Sequence, residues 1–294
     1  MNGQRKAYIL AGLAVIFWST SASAFKISLR YISYPQLLLF SSFSAFSVLF
    51  FLVIAKAEVK RMLRLNIKDL LYSILLGFFN PFLYYIILFK AYSLIPAQQA
   101  QPLNFIWPIM LVLLSIPLLK QKIHFKQILA LIICFLGVVI ISTQGDLYGF
   151  SMSDPLGIAL ALGSSVIWAL FWLINMRDKR DDLHKLVLSF FFGTCFTFVY
   201  MICFSKFEIT QWQGIAGSVY IGFFEMGITF YIWLSALKLS RTTAEVNILI
   251  YLTPLLALVF ISLLVGETIT VPTIIGVLLI ISGIAFNNWL KQKN

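Results

Sequence analysis

Long apolar runs separated by short polar segments dominate the pattern of this chain. A bilayer core of about 30 Å requires roughly 20 apolar residues in a helix, and runs close to that length recur from one end of the sequence to the other. The pattern predicts ten spans, near residues 7–25, 34–55, 69–92, 96–118, 127–143, 155–175, 185–204, 214–237, 243–265 and 271–290. All ten are predicted to be helices, because open sheets would leave unpaired backbone groups in hydrocarbon. The predicted fold class is therefore all-α integral membrane.

The composition indicates that the solvent around these helices is lipid. Of the 294 residues, 61% are hydrophobic and only 11% are charged, whereas soluble domains carry about 25% charged residues. We therefore expect a lipid bilayer as partner, and we assign the net charge of +11 to Lys and Arg in cytoplasmic loops rather than to nucleic-acid binding. No Walker A or Rossmann fingerprint occurs, and the cysteines show no metal-ligand spacing. We expect no cofactor and no metal.

The distribution of basic residues predicts the orientation of the chain. With the N-terminus in the cytoplasm, 18 of the 22 Lys and Arg residues fall on the inner side, as the positive-inside rule requires. An even number of spans then also places the C-terminus inside. Arg5-Lys6 followed by an apolar stretch and Ala22-Ser23-Ala24 has the form of a secretory signal peptide. We favour an uncleaved first helix of a multi-pass protein of the bacterial inner membrane.

Two halves of the chain echo each other. The segment Gly77–Asn80 recurs as Gly222–Glu225, and Pro108 recurs as Pro254. Five spans in each half would give the two copies, 1–144 and 145–294, opposite orientations in the membrane. Inverted repeats of this kind recur in secondary transporters, where the substrate site lies near the midplane and access alternates between the two sides. The competing interpretation is that duplication built only a stable scaffold.

An acidic residue in the middle of the eighth predicted span is the leading functional candidate. Insertion scales give a cost of about 2.5–3.5 kcal/mol for an acid at this depth, so Glu225 is expected to face protein or a wet cavity. It either binds a substrate ammonium or a coupling proton, or it is a protonated structural acid bonded to a neighbouring helix. The sequence leaves both interpretations open.

Further polar and aromatic residues inside the spans define a candidate cavity wall. Helical spacing, the repeat and depth in the spans select substrate-binding candidates: Glu225, Asn80, Tyr84, Gln101, Asn104, Trp107, Asn247 and Tyr251, with Trp18 and Trp168 at the edges. Pro108 and Pro254 are expected to bend their helices. Each amide could instead form only a weak bond between helices. An apolar wall with a few polar groups suits a small organic substrate.

Two further patterns concern packing and connection. Ser189, Gly193 and Thr197 have the small-xxx-small spacing of a close helix seam, which is either internal or between protomers, so the oligomeric state stays open. The segment 177–182 has mixed charge, and we expect a solvated loop joining the halves.

The residues resemble the EamA-type ten-helix members of the drug/metabolite transporter superfamily. The resemblance covers the whole chain and is carried by Trp18-Ser19-Thr20 followed by Lys26, and by Gly266-Glu267 followed by Gly276 and Gly283. The segment Asn104–Pro108 also looks like the N-x-x-W-P segment of bacterial aromatic amino-acid exporters. The resemblance implies a cavity between the first, third, fourth, sixth, eighth and ninth spans. It also implies efflux of amino acids or related metabolites. Glu225 lies outside the matched pattern.

These observations together predict a secondary transporter and not an enzyme. The expected substrate is a small amine-bearing molecule, with proton or ion coupling as one possibility and Glu225 as its candidate residue. An importer or exchanger of another metabolite, such as a nucleoside-like solute, and a non-transporting membrane protein remain alternatives. A membrane enzyme would need further acids, a metal set or a nucleophile beside Glu225, and the sequence offers no such group at that depth.

Overall fold

The computed structural model describes residues 3–119, 125–146, 154–175, 177–207, 211–240, 246 and 248–293. The regular secondary structure within these ranges is entirely helical. The principal helices, in chain order, are α1 (Gly3–Ser28), α2 (Tyr34–Ala55), α3 (Ile67–Leu94), α4 (Ala97–Asn104), α5 (Trp107–Leu119), α6 (Phe125–Thr143), α7 (Pro155–Asn175), α8 (Asp182–Phe204), α9 (Trp212–Leu239), α10 (Leu249–Val265) and α11 (Val271–Lys293).

Length and hydropathy qualify six of the described helices as membrane spans, namely α1, α2, α3, α7, α8 and α9. Shorter apolar helical stretches lie at 132–143, 249–265 and 271–286. The predicted all-helical membrane fold is confirmed. Every apolar run predicted as a span contains described helix, while the count of ten and the orientation remain predictions.

The fourth predicted span is broken, so its prediction as one helix over 96–118 is wrong. α4 ends where the backbone N–H of Phe105 bonds to the carbonyl of Gln101 at 3.0 Å, and α5 begins at Trp107. Pro108 is the second residue of α5. Proline has no backbone N–H to donate and fits the first turn of a helix, where that donor is not needed. The break places the ends of two helices inside the bundle.

π-Helical stretches interrupt α3 and α9 at equivalent places, over Phe78–Leu83 and Ile221–Gly227. In α3 the backbone of Asn80 leaves the helical region, with φ −146° and ψ 121°, because the residue before a proline is pushed towards extended conformations. The regular helical spacing used to select Asn80 and Tyr84 together is therefore interrupted between them. Glu225 lies within the second stretch.

Glycines of α3 and α9 bring each helix into close contact with a partner from the other half. A Cβ atom on Gly77 would lie 2.6 Å from the carbonyl oxygen of Ser189 and 3.0 Å from the amide nitrogen of Gly193 in α8. A Cβ atom on Gly222 would meet the carbonyl oxygen of Ser41 in α2 and, at 2.9 Å, the amide nitrogen of Ala45. The Ser189–Gly193 seam is thus internal to the chain.

The last helices of the two halves, α6 and α11, show the same reciprocity. A Cβ atom on Gly137 would lie 2.6 Å from the carbonyl oxygen of Gly276. A Cβ atom on Gly283 would lie 2.8 Å from the carbonyl oxygen of Ala130. Gly137 and Gly283 are 146 positions apart, and so are Ala130 and Gly276. The contact of Gly137 with Gly276 is therefore equivalent, across the repeat, to the contact of Gly283 with Ala130.

The segment 177–182 connects α7 to α8 and therefore lies within the second copy rather than between the two. Arg177, Lys179 and Asp181 are exposed, as predicted for a solvated loop, while Asp178 and Arg180 anchor it. The Asp178 side chain is only 4% exposed and accepts hydrogen bonds from the backbone and guanidinium of Arg180. Nη1 of Arg180 also donates to the hydroxyl of Ser73 in α3 at 2.8 Å. Arg180 therefore forms an ion pair with Asp178 inside the loop, and its hydrogen bond to Ser73 fixes the loop to the bundle.

Candidate functional site

A central cavity of about 310 Å³ lies between α1, α3, α4, α5, α7, α9 and α10. Its wall is mainly apolar and aromatic, with a few polar side chains. Most residues singled out in the sequence line it: Trp18, Tyr84, Gln101, Asn104, Trp107, Trp168, Glu225 and Tyr251, together with Pro108. The helices around the cavity correspond to the six predicted spans named in the resemblance.

Three predicted residues are not on the described cavity wall. Asn80 is buried beside α3's kink, and its Oδ1 atom has no hydrogen-bond partner among the described residues. The extended backbone before Pro81 is what separates it from Tyr84. Pro254 is buried near the start of the α-helical part of α10, at Leu252–Phe260. Asn247 lies outside the described residues.

The carboxylate of Glu225 belongs to the cavity wall but is only 8% exposed. Its Oε1 atom accepts a hydrogen bond from the hydroxyl of Tyr85 at 3.1 Å, and its Oε2 atom accepts one from the hydroxyl of Ser21. Both donors are neutral. Among the residues that the structure describes, no basic side chain lies within ion-pair distance of this carboxylate.

Trp18 connects α1 to the π-helical stretch that carries Glu225. Its indole Nε1–H donates to the backbone carbonyl of Glu225 at 3.3 Å. The ring of Trp18 lies 5.3 Å, centroid to centroid, from that of Trp233 further along α9. A π-helical turn disturbs the regular backbone hydrogen bonding of the helix, and the indole supplies a donor to that carbonyl. Trp18 therefore positions the acid as well as lining the cavity.

A second set of hydrogen-bonded polar side chains lies where α3, α4 and α7 meet. The hydroxyl of Tyr84 donates to Oδ1 of Asn104 at 3.1 Å, and Nδ2 of Asn104 donates to the hydroxyl of Ser164 at 2.8 Å. The ring of Tyr84 lies 4.7 Å from that of Trp168. These bonds fix the Asn104 amide and hold two aromatic rings at the cavity wall.

Three polar atoms of the wall residues have no partner among the described residues: Oε1 of Gln101, Oγ1 of Thr253 and Nε1 of Trp172. The side chains of Gln101 and Thr253 are nearly buried, with 8% and 4% exposure. Buried polar atoms in proteins are nearly always hydrogen-bonded. The wall therefore contains polar atoms whose hydrogen-bonding capacity the described residues do not meet.

The sequence did not reveal Ser21, Tyr85 or Thr253. Ser21 follows Trp18 by three positions on α1, which is the helical spacing that could have suggested it. Tyr85 is next to Tyr84, and its hydroxyl reaches Glu225 across the bundle. Serine and tyrosine are common in these spans, so the pattern alone does not distinguish them.

The connection between α3 and α4 is fixed at one end of the cavity, close to Phe25 and Tyr92 of its wall. Nζ of Lys26 donates to the carbonyls of Tyr92 and Ile95, at 2.9 and 2.8 Å. The carboxylate of Glu267 accepts from the backbone N–H groups that begin α4, those of Ala97 and Gln98, at 2.9 and 3.0 Å. One cation and one anion thus satisfy the ends of two helices.

An all-helical bundle of apolar spans around an aromatic cavity with one buried acid is the architecture of a multi-pass membrane transporter. The model of the EamA-like transporter family matches residues 5–143 and again residues 155–289. The chain belongs to this family. Its members and the relatives below are transporters and not enzymes.

Relatives of known sequence agree with this assignment. An uncharacterized transporter of Clostridium kluyveri is 28% identical, covering 98% of this chain and 95% of the relative. The uncharacterized transporter YvbV of Bacillus subtilis is 26% identical, covering 97% and 92%. The aromatic amino acid exporter YddG of Ancylobacter novellus is 25% identical over 62% of this chain and 63% of its own length. A crystal structure with TM-score 0.67 and 21% identity, covering 98% of both chains, has the same fold.

Proposed function

We propose that this transporter is a secondary carrier that exports a small amine-bearing organic solute through the central cavity by alternating access. The observation that carries the proposal is the Glu225 carboxylate on the cavity wall, whose hydrogen-bond donors within the described part of the chain are the neutral side chains of Ser21 and Tyr85. A solute ammonium would supply the opposite charge. A proton could do the same in the absence of solute, which makes Glu225 the candidate for coupling.

The aromatic wall supports an organic solute. Trp18, Trp107, Trp168 and Tyr84 all face the cavity, and aromatic faces attract cations and pack against apolar rings. Export of aromatic amino acids by the relative from Ancylobacter novellus is consistent with a solute that combines an amine with an aromatic group.

Alternating access follows from our proposal that residues 1–144 and 145–294 are inverted copies in a bacterial inner membrane. Support comes from the glycine contacts. Gly77 meets the carbonyl oxygen of residue 189 and the amide nitrogen of residue 193, and Gly222 meets the same atoms of residues 41 and 45. Two halves related by this symmetry can exchange their conformations, so that a fixed substrate site opens first to one side of the membrane and then to the other.

The test is counterflow in proteoliposomes that hold the purified full chain. Liposomes loaded with unlabelled amines, amino acids or purine derivatives are diluted into the same labelled compound, with and without a pH gradient. Accumulation that depends on the protein is expected for at least one amine-bearing compound, and protein-free liposomes are the control. Counterflow by purine derivatives alone would favour a different metabolite, and no counterflow by any compound would contradict the proposal.

A further inference from the structure

We infer that the central cavity selects organic monocations, aromatic amines that lack a carboxylate, over zwitterionic amino acids. The inference rests on the proposed transport function and narrows its substrate class. It departs from the substrate class of the aromatic amino-acid exporter among the relatives.

The charge of the cavity wall is the first argument. Glu225 is an acid, and no Lys, Arg or His is among the described residues of the wall. The nearby Lys26 is already engaged, because its Nζ donates to the carbonyls of Tyr92 and Ile95. The carboxylate of an amino acid would therefore enter a mainly apolar cavity without a basic partner, and an unpaired charge in such surroundings is strongly unfavourable. Removing that carboxylate from the solute removes the penalty.

The hydrogen-bonding groups of the cavity wall also favour a solute that has an ammonium group and lacks a carboxylate. An ammonium carries three N–H donors and needs acceptors. The wall offers the carboxylate of Glu225, and Oε1 of Gln101, a buried atom of another wall residue, has no partner among the described residues. The donors closest to Glu225 are not available to a carboxylate, because Ser21 and Tyr85 already donate to Glu225 itself. The two other buried wall atoms without a described partner, Nε1 of Trp172 and Oγ1 of Thr253, are neutral and cannot balance the charge of a carboxylate.

The arrangement of aromatic rings supports a cation with an aromatic body. Trp18 and Trp233 lie with ring centroids 5.3 Å apart and planes inclined by 60°, and Trp18 is bonded to the backbone of Glu225. Tyr84 and Trp168 form a second pair. Tryptophan faces are the strongest aromatic partners of a cation. An aromatic amine bound through its ammonium group to Glu225 would place its own ring among these aromatic side chains.

Two matched series test the inference in proteoliposomes of the full chain. Tryptophan, tryptamine and tryptophol share one indole and differ only in the carboxylate or the charge, and tyrosine with tyramine repeats the first comparison. Each compound competes against the best counterflow substrate. We expect each amine to compete at a concentration lower than its amino acid by about ten-fold or more, with tryptophol also weaker than tryptamine. Amino acids that compete as well as their amines would overturn the inference and leave the transport proposal standing. Amines that do not compete at all would overturn it too.

Substitutions of Glu225 distinguish the effect of its negative charge from the effect of its side-chain size. Glu225→Gln keeps the side-chain size, so the preference for tryptamine over tryptophol should fall towards unity, whereas Glu225→Asp should retain part of it. Glu58→Gln is the control, since Glu58 pairs with His184 away from the cavity and its loss should leave the preference unchanged. An unchanged preference in Glu225→Gln would overturn the inference. The wild-type comparison stands by itself if that variant does not fold.

Discussion

The hydroxyl of Tyr85 donates a hydrogen bond to Oε1 of Glu225 at 3.1 Å, across 140 positions of sequence. The bond joins α3 in the first half of the chain to the π-helical stretch of α9 in the second. Both groups are buried, so the bond forms out of contact with bulk water. Hydrogen bonds to charged groups are among the stronger ones in proteins, and this one holds the carboxylate in a single position on the cavity wall.

We expect Tyr85→Phe to destabilise the protein by about 1–3 kcal/mol, because one oxygen of a buried carboxylate would lose its donor. The ring itself is retained, so the packing against Phe25 and Phe89 should persist. Thermal unfolding of the purified protein measures the effect. Tyr200→Phe is the matched control, since its hydroxyl makes only a 3.4 Å contact with that of Tyr34. Equal effects of the two substitutions would contradict the assigned role of Tyr85.

The glycine contacts between the halves predict that added methyl groups are not tolerated there. Gly77→Ala and Gly222→Ala would each press a Cβ atom against backbone of the facing helix, and such overpacking costs about 1–3 kcal/mol. Gly163→Ala is the control, because nothing lies within 4 Å of its Cβ position. Alanine in an open helical position is neutral or stabilising. A Gly163 variant that unfolds at lower temperature than the other two would contradict the packing described.

The carboxylate of Glu267 predicts a second stability effect, at the start of α4. In Glu267→Gln one oxygen becomes an amide NH₂ group that faces a backbone N–H donor instead of accepting from it. We expect a loss of about 1–2 kcal/mol in thermal unfolding. Asp154→Asn is the control, because Oδ1 of Asp154 accepts only from the N–H of Gly157 and an asparagine oxygen can do the same. A neutral Glu267→Gln variant would show that the cap does not stabilise α4.

The partly buried ion pair in the loop between α7 and α8 predicts an acid-dependent part of stability. Burial raises the pKa of Asp178, but hydrogen bonds and charge from Arg180, with the charge of Lys185, outweigh burial and hold that pKa below its ordinary value. A lowered folded-state pKa means that the ionised group stabilises the fold above the unfolded value of about 3.9. This contribution is lost as the pH falls through the folded pKa.

Thermal unfolding of wild type and Asp178→Asn across pH measures this contribution. Near neutral pH the variant should unfold at lower temperature, since it lacks the charged partner of Arg180. The difference should shrink as the pH falls below the unfolded value of about 3.9 and through the lower folded-state pKa of Asp178. A difference that stays constant through this range would contradict the role of the ionised Asp178.

The apolar runs were sufficient to predict the helices, and local capping residues explain where some of them begin. Asn66 accepts from the N–H of Asp69 and starts α3 at Ile67, and Asp181 accepts from the N–H of Leu183 and starts α8 at Asp182. Both signals are present in the sequence. The sequence predicted a bend at Pro108 instead of the break before α5, because a proline within an apolar run is compatible with either a bend or a helix start. The kink at Asn80 was not predicted.

The cavity wall was largely predictable, whereas the partners of its acid were not. Depth and helical spacing selected Glu225, Gln101 and Asn104 as polar residues that apolar surroundings would not otherwise tolerate. The hydroxyls of Ser21 and Tyr85 reach Glu225 only through contacts between helices far apart in sequence. No alternation or spacing in one span encodes such a contact.

Carbodiimide labelling of Glu225 tests most directly whether this acid is the amine site of the central cavity. Dicyclohexylcarbodiimide modifies carboxylic acids in apolar surroundings, and peptide mass spectrometry locates and times the reaction. We predict that Glu225 is modified and that tryptamine slows the reaction by about ten-fold near saturation, while tryptophan at the same concentration has little effect. A rate of modification at Glu225 that tryptamine leaves unchanged would contradict the account.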